Sequence, residues 1–471
     1  MAGSGEDVRK RLALLLLCLA SFMAVVDNTI VSIALPSIRR ELGFTGADAQ
    51  WIFNGYALAF GGLLLLLGRA GDLYGRRRLF LAGLILFALG SLVGGLSWEP
   101  WILVSARFLQ GVGAAAFVPA SLSLLTATFT QREERNRAIG VYGAMAAVGF
   151  VVGMVSGGVI TELLGWRWVL FVNVPVALAA LLPTPAAVPE SREEGAPRSL
   201  DLAGALTATS GLASLIYAVS EVPQSGWTSP ATLGFGALGA LLLCGFVLAE
   251  RRTPAPLAPL RVFRERAVVA PNAAIALQSM VGIAWLYVLT LHFQEVLGHG
   301  PLTAGFLFLP MTLTSVVAAP TAGRLATKLG VRPTAALGLA LLAAGLLLMS
   351  RMPSDGGLVL VLCGMVVGES GFMLSNVPLT IAGAEGAGED ERGLAAGLLN
   401  TSIQLGNAWG LGVVATVVAA VTTALGGEAT GPEALVGGLR WGVLACVGFA
   451  VLALPIVLLF LGDEKAEESG A

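Results

Sequence analysis

Residues 68–78 read GRAGDLYGRRR, and the fold follows from where this stretch lies. It is a polar, basic break between two apolar runs, 51–67 and 79–98. Each run is about long enough to cross a ~30 Å hydrocarbon layer at about 1.5 Å per helical residue, so the break belongs at a membrane surface. Three consecutive arginines, Arg76, Arg77 and Arg78, bias that surface towards the cytoplasm. Gly68, Gly71 and Gly75 let two helix ends approach and the chain turn between them, and Asp72 offers the arginines an acidic partner. Taken alone, the stretch also reads as an ordinary short basic loop.

Composition agrees with a membrane setting. Of 471 residues 56% are apolar and 12% charged, and the mean hydropathy of +0.82 is far above that of a soluble domain. A net charge of −2 gives no electrostatic footprint for nucleic acid. The four cysteines, Cys18, Cys244, Cys363 and Cys446, all lie inside apolar runs, which suggests neither a disulfide framework nor a metal site. The first apolar run follows Arg9, Lys10 and Arg11 as the core of a signal peptide would. It continues for about 25 residues without a small-residue cleavage site, so it reads as a retained first span.

The hydropathy pattern predicts an all-α polytopic protein with fourteen transmembrane helices. The expected spans are 12–37, 51–69, 79–98, 101–126, 138–162, 167–187, 200–220, 229–250, 268–293, 302–325, 334–351, 357–380, 393–424 and 437–461. Segments on the side of the N-terminal tail hold 22 of the 28 basic residues. Both termini are therefore expected in the cytoplasm, with the chain in the inner (plasma) membrane.

An internal repeat supports this count. Residues 323–332, GRLATKLGVR, repeat the glycine and basic spacing of the opening break 255 residues later, with Thr327 in place of the aspartate. Residues 391–397, ERGLAAG, echo 134–140, ERNRAIG, at an offset of 257. Two echoes at nearly one offset imply a duplicated six-helix unit. The expected division is a first six-helix bundle over 1–187, a linker with two extra helices and an interfacial segment over 188–266, and a second bundle over 267–471. Within that linker, 189–199, PESREEGAPRS, reads as flexible. Leu257, Leu260 and Phe263 could share one face of an interfacial helix.

Several stretches resemble the fourteen-span drug:proton antiporters of the major facilitator superfamily. The pattern of residues 68–78 is similar to that superfamily's loop between the second and third spans. There it acts as a conformational latch, a role the resemblance assigns here to Gly68, Asp72, Gly75, Arg76 and Arg77. Residues 27–36, DNTIVSIALP, look like the family's first-span signature. Residues 103–115, LVSARFLQGVGAA, look like its fourth-span motif, with Arg107, Gln110, Gly111 and Gly113 in place. Residues 165–175, 256–266 and 294–310 also match the family pattern. In the fifth span Gly149, Gly153, Gly157 and Gly158 match the antiporter motif, with Met154 where a proline is usual. Leu73 stands where the opening break usually has arginine. The resemblance implies the major facilitator fold, two six-helix bundles plus two inserted helices, and proton-coupled efflux of drugs or antibiotics.

Charges inside spans are the candidates for chemistry, because a carboxylate at membrane depth costs about 2.5–3.5 kcal/mol on insertion scales and calls for a partner or a cavity. Asp27 lies roughly 15 Å, and Arg107 roughly 9 Å, from the outer ends of their spans, close enough to pair. A helix movement that alters their separation would alter the proton affinity of Asp27; the alternative is a static ion pair. Glu369 sits mid-span, where it either binds a cation or proton, or bonds to Ser370 or Asn376 as packing. His292, Glu295 and His299 lack metal-ligand spacing and read as interfacial, so no metal site is expected.

Substrate contact is expected from polar and aromatic residues that interrupt the apolar runs: Asn28, Asn54, Tyr56, Gln278, Tyr287, Asn376, Asn400, Gln404 and Trp409. Helix-to-helix hydrogen bonding is the competing role for each. The fifth-span glycines place small residues on one face and are expected to serve helix packing. With no P-loop pattern and no nucleophile motif, an enzyme is not expected. A monomer in the bilayer is expected, needing no cofactor beyond the coupling proton and taking a small amphiphilic substrate. Transport of another small metabolite or lipid-like molecule, or a receptor role, are the alternatives.

Overall fold

The computed structural model describes residues 2–44, 48–191, 202–226, 228–251, 261, 265–353, 357–385, 392–426 and 432–461. All regular structure among them is helical. Helix α1 covers Ala2–Leu42, α2 Trp51–Tyr74, α3 Arg76–Gly95, α4 Pro100–Thr128 and α5 Arg132–Leu163. The expected sixth span is divided into α6 (Arg167–Phe171), α7 (Asn173–Leu181) and α8 (Thr184–Ala187). Next come α9 (Leu202–Ser225), α10 (Pro230–Glu250) and α11 (Arg266–Leu291), the last running into a π-helical turn at His292–Val296. The tenth span is split into α12 (Pro301–Leu307) and α13 (Leu309–Leu329). Helices α14 (Val331–Met349), α15 (Leu358–Glu385), α16 (Arg392–Ala424) and α17 (Pro432–Phe460) complete the chain.

The repeat read in the sequence is visible in the backbone. Gly75 separates α2 from α3 with φ +114°, and Gly330 separates α13 from α14 with φ +100°. Both are conformations open to glycine and strained for other residues, which explains why the two breaks share their glycine spacing. Helix pairing repeats as well. At Gly83 of α3 and Gly113 of α4 a side chain would lie 2.7 Å from the carbonyl oxygen of the other. The counterpart pair α14 and α15 closes equally tightly, Gly338 against the backbone at Ser375 and Gly371 against that at Leu342. Small residues let these helices reach backbone contact, the main source of affinity between helices in lipid.

Two cores on the hinge side are separate. One contains Leu16, Phe80, Phe117 and Leu125 of the first half; the other contains Ile275, Leu339, Leu379 and Val457 of the second. Away from the hinge the halves share one core, in which Ile30, Trp166 and Met154 join Trp285, Phe293, Phe308 and Val443. Helix α9 leans on both halves. Thr209 Oγ1 donates to the Gly62 carbonyl of α2 at 2.5 Å, while Val219 lies against Gly412 of α16.

Among the described residues twelve segments are long and apolar enough to cross a membrane. The second and seventh expected spans correspond to α2 and α9, each of 24 residues. In α9 the apolar stretch is the shorter Leu206–Val219. The interfacial positions Leu257, Leu260 and Phe263 lie outside the described residues, as does most of 189–199.

Candidate functional site

Asp27 of α1 and Arg107 of α4 meet, and both are fully buried. Arg107 Nη1 donates to Asp27 Oδ2 in a close ion pair. The other oxygen, Asp27 Oδ1, accepts from Gln110 Nε2 at 2.9 Å and from Asn173 Nδ2 at 2.7 Å. Arg107 does not depend on Asp27 alone. Its Nε donates to the Ile52 carbonyl at 3.0 Å, Nη1 to Gln110 Oε1 at 2.8 Å and Nη2 to Asn28 Oδ1 at 3.3 Å. The Tyr56 ring lies 4.6 Å from its guanidinium carbon, and Gln110 also donates to Ser91 Oγ at 2.8 Å.

Helices α4 and α7 therefore converge on the α1 carboxylate, with α2 bracing Arg107 and α3 bracing Gln110. Removing two ions from water costs several kcal/mol each, so such a pair persists only where further hydrogen bonds fill its remaining donors and acceptors. The chemical consequence is a replaceable contact. A proton on Asp27 would displace Arg107 Nη1, and the guanidinium would keep three other acceptors. Arg107→Lys retains charge but loses the planar fork that reaches them, and is expected to slow transport about tenfold or more. Uptake assays on reconstituted protein check this, and wild-type rates with a wild-type pH profile would make the pair a passive strut.

Glu369 of α15 is 2% exposed, and its Oε1 accepts from Ser315 Oγ of α13. This corrects the expected local partners. Ser370 donates to the Val366 carbonyl at 2.8 Å, and Asn376 Nδ2 donates to Gln278 Oε1 at 3.1 Å. Ser370, one residue on, points to a different side of the helix, and Asn376, seven residues on, lies about 10 Å further along it, where it meets α11.

The expected substrate residues separate into three groups. Asn28 and Tyr56 belong to the Arg107 network. Gln278 and Asn376 bond to each other, with Gln278 Nε2 also donating to the Phe372 carbonyl at 2.8 Å and to Ser375 Oγ at 2.9 Å. Asn54 and Tyr287 are buried, whereas Asn400, Gln404 and Trp409 lie half-buried along α16.

At the hinge, the start of α3 is capped by residues just beyond α8. Arg76 N donates to the Ser191 carbonyl at 2.9 Å and Arg77 N to Glu190 Oε1 at 2.9 Å. The Arg77 guanidinium reaches the Pro185 and Val188 carbonyls at 3.3 and 3.1 Å. Glu190 Oε2 lies 3.8 Å from Nε of both Arg77 and Arg78. The first residues of the expected flexible linker are thus docked, because α3 presents unpaired N–H groups and three cations to an acidic side chain. Gly68 has open space beside it, and the side chain of Asp72 lies outside the described residues.

On α5, Gly149, Gly153 and Gly157 face α1 at Phe22, Thr29 and Ile30. Gly158 faces the other half, where a side chain would lie 2.6 Å from the Pro301 carbonyl oxygen of α12. His292 is fully buried in the π-helical turn, not interfacial as its hydrophilicity suggests. Glu295 is exposed, and the described residues hold no cluster of three or more metal-ligating side chains. Ser91 and Asn173 escape sequence reading, since neutral polar residues carry no insertion cost large enough to single them out. Asn173 had one signal, as the lone amide in WVLFVNVP.

Twin helical halves, the first holding a buried ion pair, define a polytopic transporter-like membrane protein. The Major Facilitator Superfamily model matches residues 17–411, and the chain belongs to that family. It is 38% identical to the puromycin resistance protein pur8 of Streptomyces alboniger, over 100% of this chain and 95% of that one. It is 39% identical to the cephamycin export protein CmcT of Amycolatopsis lactamdurans, over 95% of this chain and 91% of the relative. The crystal structure of a bacterial homolog to the human lysosomal transporter Spinster, inward-facing and unoccupied, shares the fold with a TM-score of 0.67. That match has 18% identity and covers 96% of each chain.

Proposed function

We propose that this chain exports amphiphilic drug-like or antibiotic compounds in exchange for protons, by alternating access between two six-helix halves. The observation that carries the reading is the sealed Asp27–Arg107–Gln110–Asn173 network. It holds one ionisable carboxylate in the membrane interior, paired with a cation that has other acceptors to turn to. Relatives named for puromycin resistance and cephamycin export support the substrate class.

In this scheme all fourteen helices cross the plasma membrane, α2 and α9 included, and both termini are cytoplasmic. The bundles comprise 1–187 and 267–471, with 188–266 inserted between them, and the monomer is the working unit. The side where the halves share a core faces outward, and the side with separate cores faces the cytoplasm. Asp27 exchanges a proton as α1 moves against α4. The docked hinge from Gly68 to Arg77 biases the alternation. Asn400, Gln404 and Trp409 offer polar contacts to substrate from α16.

Glu369 is the second carboxylate in this reading, pairing with a substrate cation or carrying a second proton. One charge crossing 100 mV is worth about 2.3 kcal/mol, and exchange of one proton for one monovalent cation cannot use it. Glu369→Gln is therefore expected to reduce export of cationic compounds more than neutral ones, measured in the same vesicles at matched protein levels. Equal loss of both, or of neither, makes Glu369 a packing residue. The export reading itself is tested by everted vesicles energised with a pH gradient. Dye accumulation that collapses when the gradient is dissipated is expected; accumulation that persists would refute proton coupling.

A further inference from the structure

Gly282 lies mid-way along α11, on the side that faces α15 and α16. Its surroundings differ from those of the other glycines near it. Gly406 and Gly410 of α16 are glycines because α11 touches them, and a side chain at either would strike the backbone carbonyl of Ala276 or Met280. At Gly282 no backbone intrudes. A Cβ there would meet only two side-chain tips, Asn407 Oδ1 at 3.3 Å and Phe372 Cζ at 3.7 Å. No backbone collision thus requires glycine at this position, although a mid-helix glycine weakens a helix.

The three residues come from three helices, α11, α15 and α16, and each is only half-buried although it lies mid-helix. They meet in one partly exposed patch between the three helices. The Asn407 amide is poorly engaged, its Nδ2 reaching Gln404 Oε1 at 3.5 Å, the limit of a hydrogen bond. The backbone of Phe372, in contrast, is tied to α11, because its carbonyl accepts from Gln278 Nε2 at 2.8 Å. A bare backbone, an aromatic ring and an amide with free hydrogen-bonding capacity suit one kind of guest. A flat ring can lie against the glycine, stack on or edge into Phe372, and exchange a hydrogen bond with Asn407.

We infer that Gly282, Phe372 and Asn407 form a subsite for the planar aromatic ring of an exported compound. The inference rests on the export reading above and assigns part of its specificity to these residues. Gly282 sets the width of the subsite, Phe372 supplies the stacking surface and Asn407 selects rings that carry an amine, hydroxyl or carbonyl.

The test compares two monovalent cations, so that charge and proton stoichiometry cancel: planar ethidium, with ring amines, and non-planar tetraphenylphosphonium. Full-length protein in proteoliposomes is assayed for both under one imposed pH gradient. Gly282→Leu is expected to raise KM for ethidium about tenfold, with that for tetraphenylphosphonium changing by less than about twofold. Asn407→Leu is expected to raise the ethidium KM severalfold with kcat retained. Gly282→Ala, whose Cβ meets only side-chain tips, is expected to shift the ratio in the same direction by less, and it keeps the test open should the leucine variant misfold. Parallel loss of both dyes, or an unchanged KM ratio in all three variants, would overturn the subsite while leaving the export reading standing. Wild-type protein that moves neither dye would overturn both.

Discussion

Asp27→Asn is expected to reduce proton-driven export to background while the protein still reaches the membrane, but not without a cost in stability. An asparagine offers one acceptor where Asp27 offers two, so either Arg107 or the Gln110 and Asn173 amides lose their partner. It also leaves the fully buried Arg107 without a counter-charge. Breaking a buried pair on one side costs about 3–5 kcal/mol. The change, though isosteric, should therefore lower the unfolding temperature in detergent. Neutralising both partners, Asp27→Asn with Arg107→Gln, removes the stranded charge and is expected to recover part of the stability and none of the transport. A double variant that regains proton-driven export would show that the pair only packs.

The second large effect is expected from Gly158→Val. A side chain at residue 158 would lie 2.6 Å from the Pro301 carbonyl oxygen and 3.0 Å from Leu302 Cα, backbone atoms of the opposite half that cannot rotate aside. Helices α5 and α12 would have to separate, in the region where the two halves otherwise share a core. At an overpacking cost of about 2 kcal/mol, the form closed on this side would lose roughly thirtyfold in population. Turnover should fall accordingly, while substrate binding to the open form survives. Gly143→Val, on the same helix but with nothing within 4 Å, is the control and is expected to be silent. Equal effects of the two variants would mean that the contact at Gly158 has no part in alternation.

How far the sequence carried depended on the size of the energetic signal. Charges in apolar surroundings are conspicuous because lipid makes them expensive, and this singled out Asp27, Arg107 and Glu369. Gly75 and Gly330 were legible for a related reason, as each ends one helix and starts another at a positive φ. Two neutral partners, Ser91 and Asn173, were not legible. Ser91 and Asn173 resemble any polar residue in a helix until the fold brings α3 and α7 against α1. The partner of Glu369 proved to be Ser315, 54 positions away, because helix-to-helix contacts and not chain neighbours satisfy buried polar groups. Gln278 and Asn376 were correctly seen as interruptions of apolar runs, but only the packing of α11 on α15 shows that they bond to one another. The linker beginning at Pro189 has a disordered composition, yet Glu190 and Ser191 are held by the open N-terminus of α3. Composition cannot register a cap supplied from elsewhere in the fold.

The central claim is that Asp27 exchanges a proton during each export cycle. The most direct measurement is proton movement in proteoliposomes holding a lumenal pH dye, with ethidium added under no imposed gradient. Wild-type protein is expected to move protons opposite to ethidium as soon as the dye is added, and Asp27→Asn is expected to move none even where ethidium still crosses. Ethidium transport by the wild type without proton movement, or proton movement undiminished in Asp27→Asn, would contradict it.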